Sequence, residues 1–171
     1  MRVLVPLDPA EHDVAAFTSG NVTCDLDLKA QAHKVRNRTL VMAEASRIIG
    51  FSRYSLVLAG ADKDLMPFVR IDFVARDAVH GRGAGMEIML RTFIRITKDP
   101  KTDNCRGVLI DSLNCDKDAD RWKRWSFFTE RVGFVPLKDN GLPYGYAFMS
   151  METVRAIAEQ ASNPRPAPGI P

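Results

Sequence analysis

Between Phe68 and Ala75 the chain reads Phe-Val-Arg-Ile-Asp-Phe-Val-Ala, β-branched and aromatic residues interrupted only by Arg70 and Asp72, which predicts a strand. Glu87 to Ile96 carries apolar residues at Ile88, Leu90, Phe93 and Ile94, the spacing of a helix. Thr39–Ala43 and Arg47–Leu58 read as strands joined by a turn at Glu44–Ser46, Gly107–Leu113 as an apolar strand, and Tyr144–Ser150 as a strand that closes a sheet. Val14 to Ala45 has mostly helical spacing broken at Gly20-Asn21, so two short helices are expected before the first of those strands. Ala59–Pro67 is polar and reads as a loop. Asp118–Arg131 is bounded by Asp116 and Gly133 and predicts a helix, with Phe134 opening another strand. Met151–Ala161 predicts a last helix with Ser150 as its N-cap. Asn163–Pro171, with four prolines, cannot hold regular structure and is expected to be a mobile tail. Residues 1–161 are therefore expected to form one domain and 162–171 an appendage.

The turn between the Phe68 strand and the Glu87 helix is the part most specific in its chemistry. His80-Gly81-Arg82-Gly83-Ala84-Gly85-Met86 places small residues where successive N–H groups can face one point, and the following helix adds its unpaired N–H groups and the positive end of its dipole. A pyrophosphate fits that description, although a tight strand-to-helix connection has the same composition. Gly85-Met86-Glu87 lacks the Gly-Lys-Ser/Thr ending of a nucleoside triphosphate loop. The loop's position in mid-chain also disfavours a dinucleotide fold, which needs more strand–helix repeats after it.

A chain of 171 residues with 46% hydrophobic composition suits one well-packed domain. The net charge of +3 permits a polyanionic partner without requiring one. Cys24, Cys105 and Cys115 match no zinc spacing, and His12, His33 and His80 do not cluster, so no metal is expected. Neither a signal peptide nor an apolar run of about 20 residues is present, and the expected location is cytoplasmic.

His80-Gly81-Arg82-Gly83-Ala84-Gly85 resembles the Gln/Arg-x-x-Gly-x-Gly/Ala loop of the GNAT acetyltransferases, with histidine in the opening slot. Phe128-Thr129-Glu130-Arg131-Val132-Gly133-Phe134-Val135-Pro136 is similar to the family's Phe-Tyr-x-x-x-Gly-Phe-x-Pro landmark. His12-Asp13-Val14-Ala15-Ala16-Phe17-Thr18-Ser19-Gly20 is similar to the start of the GNAT subgroup that serves as toxins in toxin–antitoxin pairs and acetylates aminoacyl-tRNA. The resemblance spans about His12 to Met151. It implies an α/β fold whose central mixed, mostly antiparallel sheet is splayed at the acetyl-CoA site, with helices on both faces. It further implies acetyl-CoA as acyl donor, a primary amine as acceptor, and a ribbon-helix-helix antitoxin as partner; a homodimer is also open.

Carried over residue by residue, the resemblance assigns the pantetheine arm and thioester oxygen to backbone groups of Phe73, Val74 and Ala75. It assigns the pyrophosphate to Gly81–Met86, with Arg82 as a side-chain partner, and further cofactor contacts to His80, Asn114 and Phe128. The general acid, usually tyrosine, falls on Thr129, whose hydroxyl ionises far above a phenol. Two readings follow: an enzyme that works without that acid, or with Tyr144 or Tyr146 folded over the site, and a coenzyme A-binding module that has lost efficient transfer. Asp72 is the candidate general base, whereas the toxin subgroup tends to carry arginine there. Arg121-Trp122-Lys123-Arg124-Trp125 could meet nucleic acid through cations and stacked rings, or simply be an amphipathic helix. Lys34, Arg36 and Arg38 form a second basic patch or a solvated helix face.

Overall fold

A computed structural model of the chain describes residues 2–34, 38–60, 64–79, 84–111, 118–137 and 146–163, with the backbone alone described at 118–121. In chain order the elements are β1 (Val5–Pro6), α1 (Val22–Ala32), β2 (Thr39–Glu44), β3 (Arg47–Ala59), β4 (Met66–Arg76), α2 (Ala84–Thr97), a 3-10 turn at Pro100–Thr102, β5 (Gly107–Asp111), α3 (Asp118–Ser126), a π-type turn at Phe127–Val132, β6 (Val135–Pro136), β7 (Tyr146–Ser150) and α4 (Met151–Ser162). Seven strands form one sheet in the order β1-β2-β3-β4-β5-β7-β6, and the β4–β5 pair is its one parallel junction among the described residues.

The two helices expected before β2 reduce to one. Asn21 caps α1 by accepting from the Cys24 N–H at 3.0 Å, and Gly20 precedes it at φ +77, a left-handed conformation that breaks any helix arriving from Val14. The residues before the break are instead held in turns: Asp13 accepts from Ala16 N–H, and Asp25 accepts from the Ser19 N–H and hydroxyl. Phe17 is buried all the same, because its ring meets Phe51 edge-on at 5.6 Å. β3 and β4 also run farther than expected, to Ala59 and from Met66, shortening the anticipated loop.

Two apolar layers clamp the sheet. On one face α2 and α4 pack Met89, Phe93, Ile96 and Val154 over Val69, Ile71, Val108 and Ile110. On the other face α1 packs Cys24 and Leu28 against Phe51, Phe73 and Ala75. A single strand, β4, supplies both layers because it carries a bulge: consecutive residues Arg53 and Tyr54 of β3 oppose Phe73 and Ile71, so Asp72 is the extra residue. After that insertion the alternation reverses, and Phe73 faces α1 where unbroken pleating would send it to α2. Between the sheet and α2, Thr92 donates its hydroxyl to the Ile88 carbonyl at 2.7 Å and lies 2.8 Å from the Ser52 hydroxyl, so both buried hydroxyls are satisfied.

β5 begins at Gly107, where an added Cβ would overlap the Phe148 ring and the Met149 carbonyl oxygen on β7. Gly107→Ala is expected to destabilise the fold by about 1–3 kcal/mol through overpacking. The check is a urea denaturation midpoint that falls without a change in slope.

Candidate active site

β4 and β5 are paired only over Val69–Ile71 and Val108–Ile110. From Asp72 onward the edge of β4 that faces β5 has no ladder partner among the described residues, while its other edge remains paired with β3 through Arg76. The opening left by this divergence is a cleft of about 460 Å³. Val74, Ala75 and Arg76 of β4, Gly85 of α2, and Phe127 and Phe128 line it. Ser19–Asn21 and Cys24, at the start of α1, close the cleft from the other face of the sheet.

Local sequence explains each wall. α2 starts at Ala84, so its first N–H groups lie beside Gly85. A Cβ at Gly85 would sit 3.6 Å from Phe127, so this end of the helix approaches the ring closely. Phe127 and Phe128 lie on a π-type turn: the Gly133 and Phe134 N–H groups both donate to the Phe128 carbonyl at 3.0 Å, and Gly133 takes φ +93. The turn buries Phe128 against Phe134 and leaves Phe127 half-buried beside the cleft. Lys123 and Arg124 of α3 also line the cleft, with the Arg124 guanidinium 6.0 Å over the Phe128 ring. The basic Arg121–Trp125 stretch therefore divides: Trp125 packs on the core, Trp122 is exposed, and two cations turn to the cleft.

Before the loop, Asp77 is fully buried, where its carboxylate accepts from the Val79 N–H at 2.9 Å and lies 3.6 Å from the Arg47 guanidinium. This acid fixes the course of the chain as it leaves β4.

Behind the wall lies a second, smaller pocket of about 220 Å³, lined by Arg53, Arg70, Ile71, Asp72, Phe73 and Asp111. The bulge aims Asp72 into it. One carboxylate oxygen accepts from Arg70 Nε at 2.6 Å and from the Ser55 hydroxyl at 3.1 Å, and the other lies 3.8 Å from Arg53 Nε. Arg53 in turn pairs with Asp27 of α1 at 2.9 Å and lies 4.8 Å over the Phe73 ring. The hydrogen bond to Asp72 raises the Arg70 pKa above its ordinary value.

The expected site residues are thus partly assembled. Val74, Ala75, Gly85 and Phe128 line the cleft, and Phe73 and Asp72 line the pocket behind it. Ala84 and Met86 are in the first turn of α2, where Ala84 is buried and Met86 packs on the core. Thr129 is not among the lining residues, and its hydroxyl donates to the Trp125 carbonyl at 2.9 Å. His80, Gly81, Arg82, Gly83, Asn114 and Tyr144 lie outside the described residues. Tyr146 is on β7 and lines a separate apolar groove of about 740 Å³. Arg53, Asn21 and Cys24 were missed; a lone arginine inside the apolar run of β3 was the available signal for the first.

Arg53, whose side chain is 17% exposed, compensates two carboxylates that are 15% and 12% exposed. Arg53→Ala is expected to cost about 3 kcal/mol by leaving Asp27 without its ion-pair partner and Asp72 with Arg70 and Ser55 alone, whereas Arg70→Ala, at the wetter end of the cluster, costs under about 1 kcal/mol. Parallel denaturation curves of the two variants test this ordering.

No family model matches the chain. It is 28% identical over 177 residues to a probable toxin TacT of Sinorhizobium fredii (strain NBRC 101917 / NGR234), with 91% of this chain and 94% of that protein covered. In fold it is similar to a mutant of the toxin AtaT bound to the C-terminus of the antitoxin AtaR and acetyl-CoA, with a TM-score of 0.72, 16% identity, and 94% and 98% of the two chains covered. It is also similar to AtaT complexed with acetyl-methionyl-tRNAfMet, with a TM-score of 0.67, 16% identity, and coverage of 92% and 98%. The chain therefore shares the fold of these proteins, the GNAT fold expected from its sequence.

Proposed function

We propose that the chain is an acetyl-CoA-dependent N-acetyltransferase that acylates a primary amine, with the amino group of aminoacyl-tRNA as acceptor and toxicity held in check by an antitoxin. The observation that carries this reading is the cleft at the divergence of β4 and β5, joined to the start of α2 and edged by Lys123 and Arg124. Unpaired β4 backbone offers hydrogen bonds to an amide-bearing arm, helical N–H groups offer them to a diphosphate, and two side chains offer positive charge. Those donors fit acetyl-CoA, which when bound supplies the acetyl group and a thiolate leaving group. The full-length likeness to a probable toxin, and to a toxin bound to an acetylated aminoacyl-tRNA, supports the choice of acceptor.

The chain's own residues then divide the work. Val74 and Ala75 hold the arm and Gly85–Met86 begin the anion site, together with His80–Gly83, which precede α2 in sequence. An oxyanion donor on the β4 backbone would contribute about 10²–10³ in rate. Asp72 faces the pocket behind the strand, where its carboxylate, set between the Arg53 and Arg70 guanidinium groups, is placed to orient an ammonium and accept its proton. The demand on this base is small, because an α-amino group with a pKa near 7.7–8 is already partly neutral at pH 7.

Thr129 does not supply the leaving-group proton in this reading, since its hydroxyl is committed to Trp125. A thiol with a pKa of about 8.5 leaves as thiolate without help. The same observation is what favours the rival reading, a coenzyme A-binding module without efficient transfer. Transfer of labelled acetyl from acetyl-CoA to charged tRNA, against uncharged tRNA and a panel of small amines, separates the two. Acceptance by charged tRNA alone, with growth arrest on expression, supports the toxin; tight coenzyme A binding with no transfer to any amine supports the module.

Thr129→Val is expected to change kcat by less than about 3-fold, where loss of a positioned acid would cost about 10²–10⁴-fold. Lys123→Ala combined with Arg124→Ala is expected to raise KM for acetyl-CoA about 10-fold, the equivalent of one charge-assisted hydrogen bond, with kcat nearly unchanged. Steady-state kinetics with acetyl-CoA varied at saturating acceptor measures both.

A further inference from the structure

Where α2 ends, the chain turns through Pro100–Thr102, and a cavity of about 230 Å³ lies between this turn and strands β2 and β3. Three cations from separate segments line it: Arg38 just before β2, Arg95 in the last turn of α2, and Lys101 in the 3-10 turn. All three residues are exposed, and none forms an ion pair among the described residues. Val35, Arg36 and Asn37, which precede Arg38 in sequence, include no acid. Asp99 is the one acid among the lining residues, and it is already engaged: its carboxylate accepts from the Tyr54 hydroxyl at 3.2 Å and from the Lys101 N–H at 3.1 Å.

Cations at the C-terminal end of a helix commonly serve its unpaired carbonyls. Those of α2 are served otherwise. The Ile94 carbonyl accepts from the Thr97 hydroxyl at 3.1 Å, the Arg95 carbonyl from the Lys98 N–H at 3.3 Å, and the Ile96 carbonyl from the Asp99 N–H at 3.1 Å and the Thr102 hydroxyl at 2.6 Å. Capping therefore does not use the three cations. Burial, and after it the charge of Asp99, push the Tyr54 hydroxyl up to about 12, so it stays a neutral donor to that carboxylate; Arg95 and Arg38 lie near enough for their charges to oppose the shift. Three cations against one carboxylate leave two positive charges in excess around the cavity.

We infer that this cavity binds a phosphate monoester in its doubly charged form, with Arg38, Arg95 and Lys101 donating charge-assisted hydrogen bonds to its oxygens. Such a group carries a charge of about −1.5 to −2 at pH 7, which matches the excess. A phosphodiester brings a single charge and leaves part of the excess unmet. An acidic peptide fits less well, because two separate carboxylates would have to be crowded together against their own repulsion. Gly85 and Arg95 are separated by about 15 Å along α2, so this site is distinct from the diphosphate site proposed at the start of that helix. Two sources present the group: a free phosphorylated small molecule and the 5′-terminal phosphate of an RNA.

The test is a titration of the full chain, labelled for amide NMR, with methyl phosphate, dimethyl phosphate, a glutamate-rich peptide, and one RNA oligonucleotide with and without its 5′-phosphate. Methyl phosphate is expected to shift the amides of Tyr54–Leu56, Arg95 and Lys101 and to bind about 10-fold more tightly than dimethyl phosphate, the equivalent of one charge-assisted hydrogen bond. Arg95→Gln combined with Lys101→Gln is expected to weaken methyl phosphate about 10-fold or more and to leave the urea denaturation midpoint in place. Tighter binding of the 5′-phosphorylated RNA than of its 5′-hydroxyl twin assigns the phosphate to an RNA end; equal binding of the two, with methyl phosphate bound, assigns it to a small molecule. Equal binding of methyl and dimethyl phosphate overturns the inference, as do shifts confined to the amides around Gly85. So does a glutamate-rich peptide that binds at this cavity more tightly than methyl phosphate. Binding is read here without acetyl transfer, so failure leaves the acetyltransferase reading intact, and failure of that reading leaves this one.

Discussion

The insertion of Asp72 into β4 is the constraint on which the rest of the architecture depends. A strand with unbroken alternation would offer one apolar face; this one offers Val69 and Ile71 to α2 and α4, then Phe73 and Ala75 to α1. The same residue marks where β4 and β5 stop pairing, so the reversal of faces and the opening of the cleft occur at one point. Bulges sharpen twist and re-aim side chains. Here the re-aimed side chain is a carboxylate, and the cost of placing it in a half-buried position is offset by Arg53, Arg70 and Ser55.

Most of the fold was legible because its signals are local. α2 has apolar residues at helical spacing, α4 has a serine cap that accepts from the Thr153 N–H, and β4 is the richest β-forming run in the chain. The errors have physical causes. Val14–Ser19 looks helical by composition, but Gly20 in the left-handed region and the Asp25 carboxylate bind that segment into turns, a tertiary effect that periodicity does not register. The bulge itself was invisible, since the buried positions Val69, Ile71, Phe73 and Ala75 alternate as they would in a regular strand.

The site was legible only in part, for the same reason. Glycine composition pointed to the turn before α2, and Gly85 does line the cleft. What distinguishes this chain is relational: Arg53 holds Asp27 of α1 and Asp72 of β4 at once, across long stretches of sequence. A basic run read as either a candidate nucleic-acid surface or an amphipathic helix has Lys123 and Arg124 at the edge of the cleft, next to the π-type turn. Thr129, in the slot usually held by tyrosine, donates its hydroxyl to the helix carbonyl of Trp125, a bond that motif spacing does not register.

The cleft draws its walls from both apolar layers, Cys24 and Ala75 from the layer under α1, Phe128 and Val74 from the layer under α2 and α4. Those layers lie on opposite sides of the sheet, and β2, β3 and β4 each contribute to both. Any molecule seated between them acts as a keystone: it ties two otherwise separately packed halves, and its binding energy is added to the work of pulling them apart. In such an arrangement resistance to unfolding follows the supply of the bound molecule, and a cell poor in it would hold a looser protein.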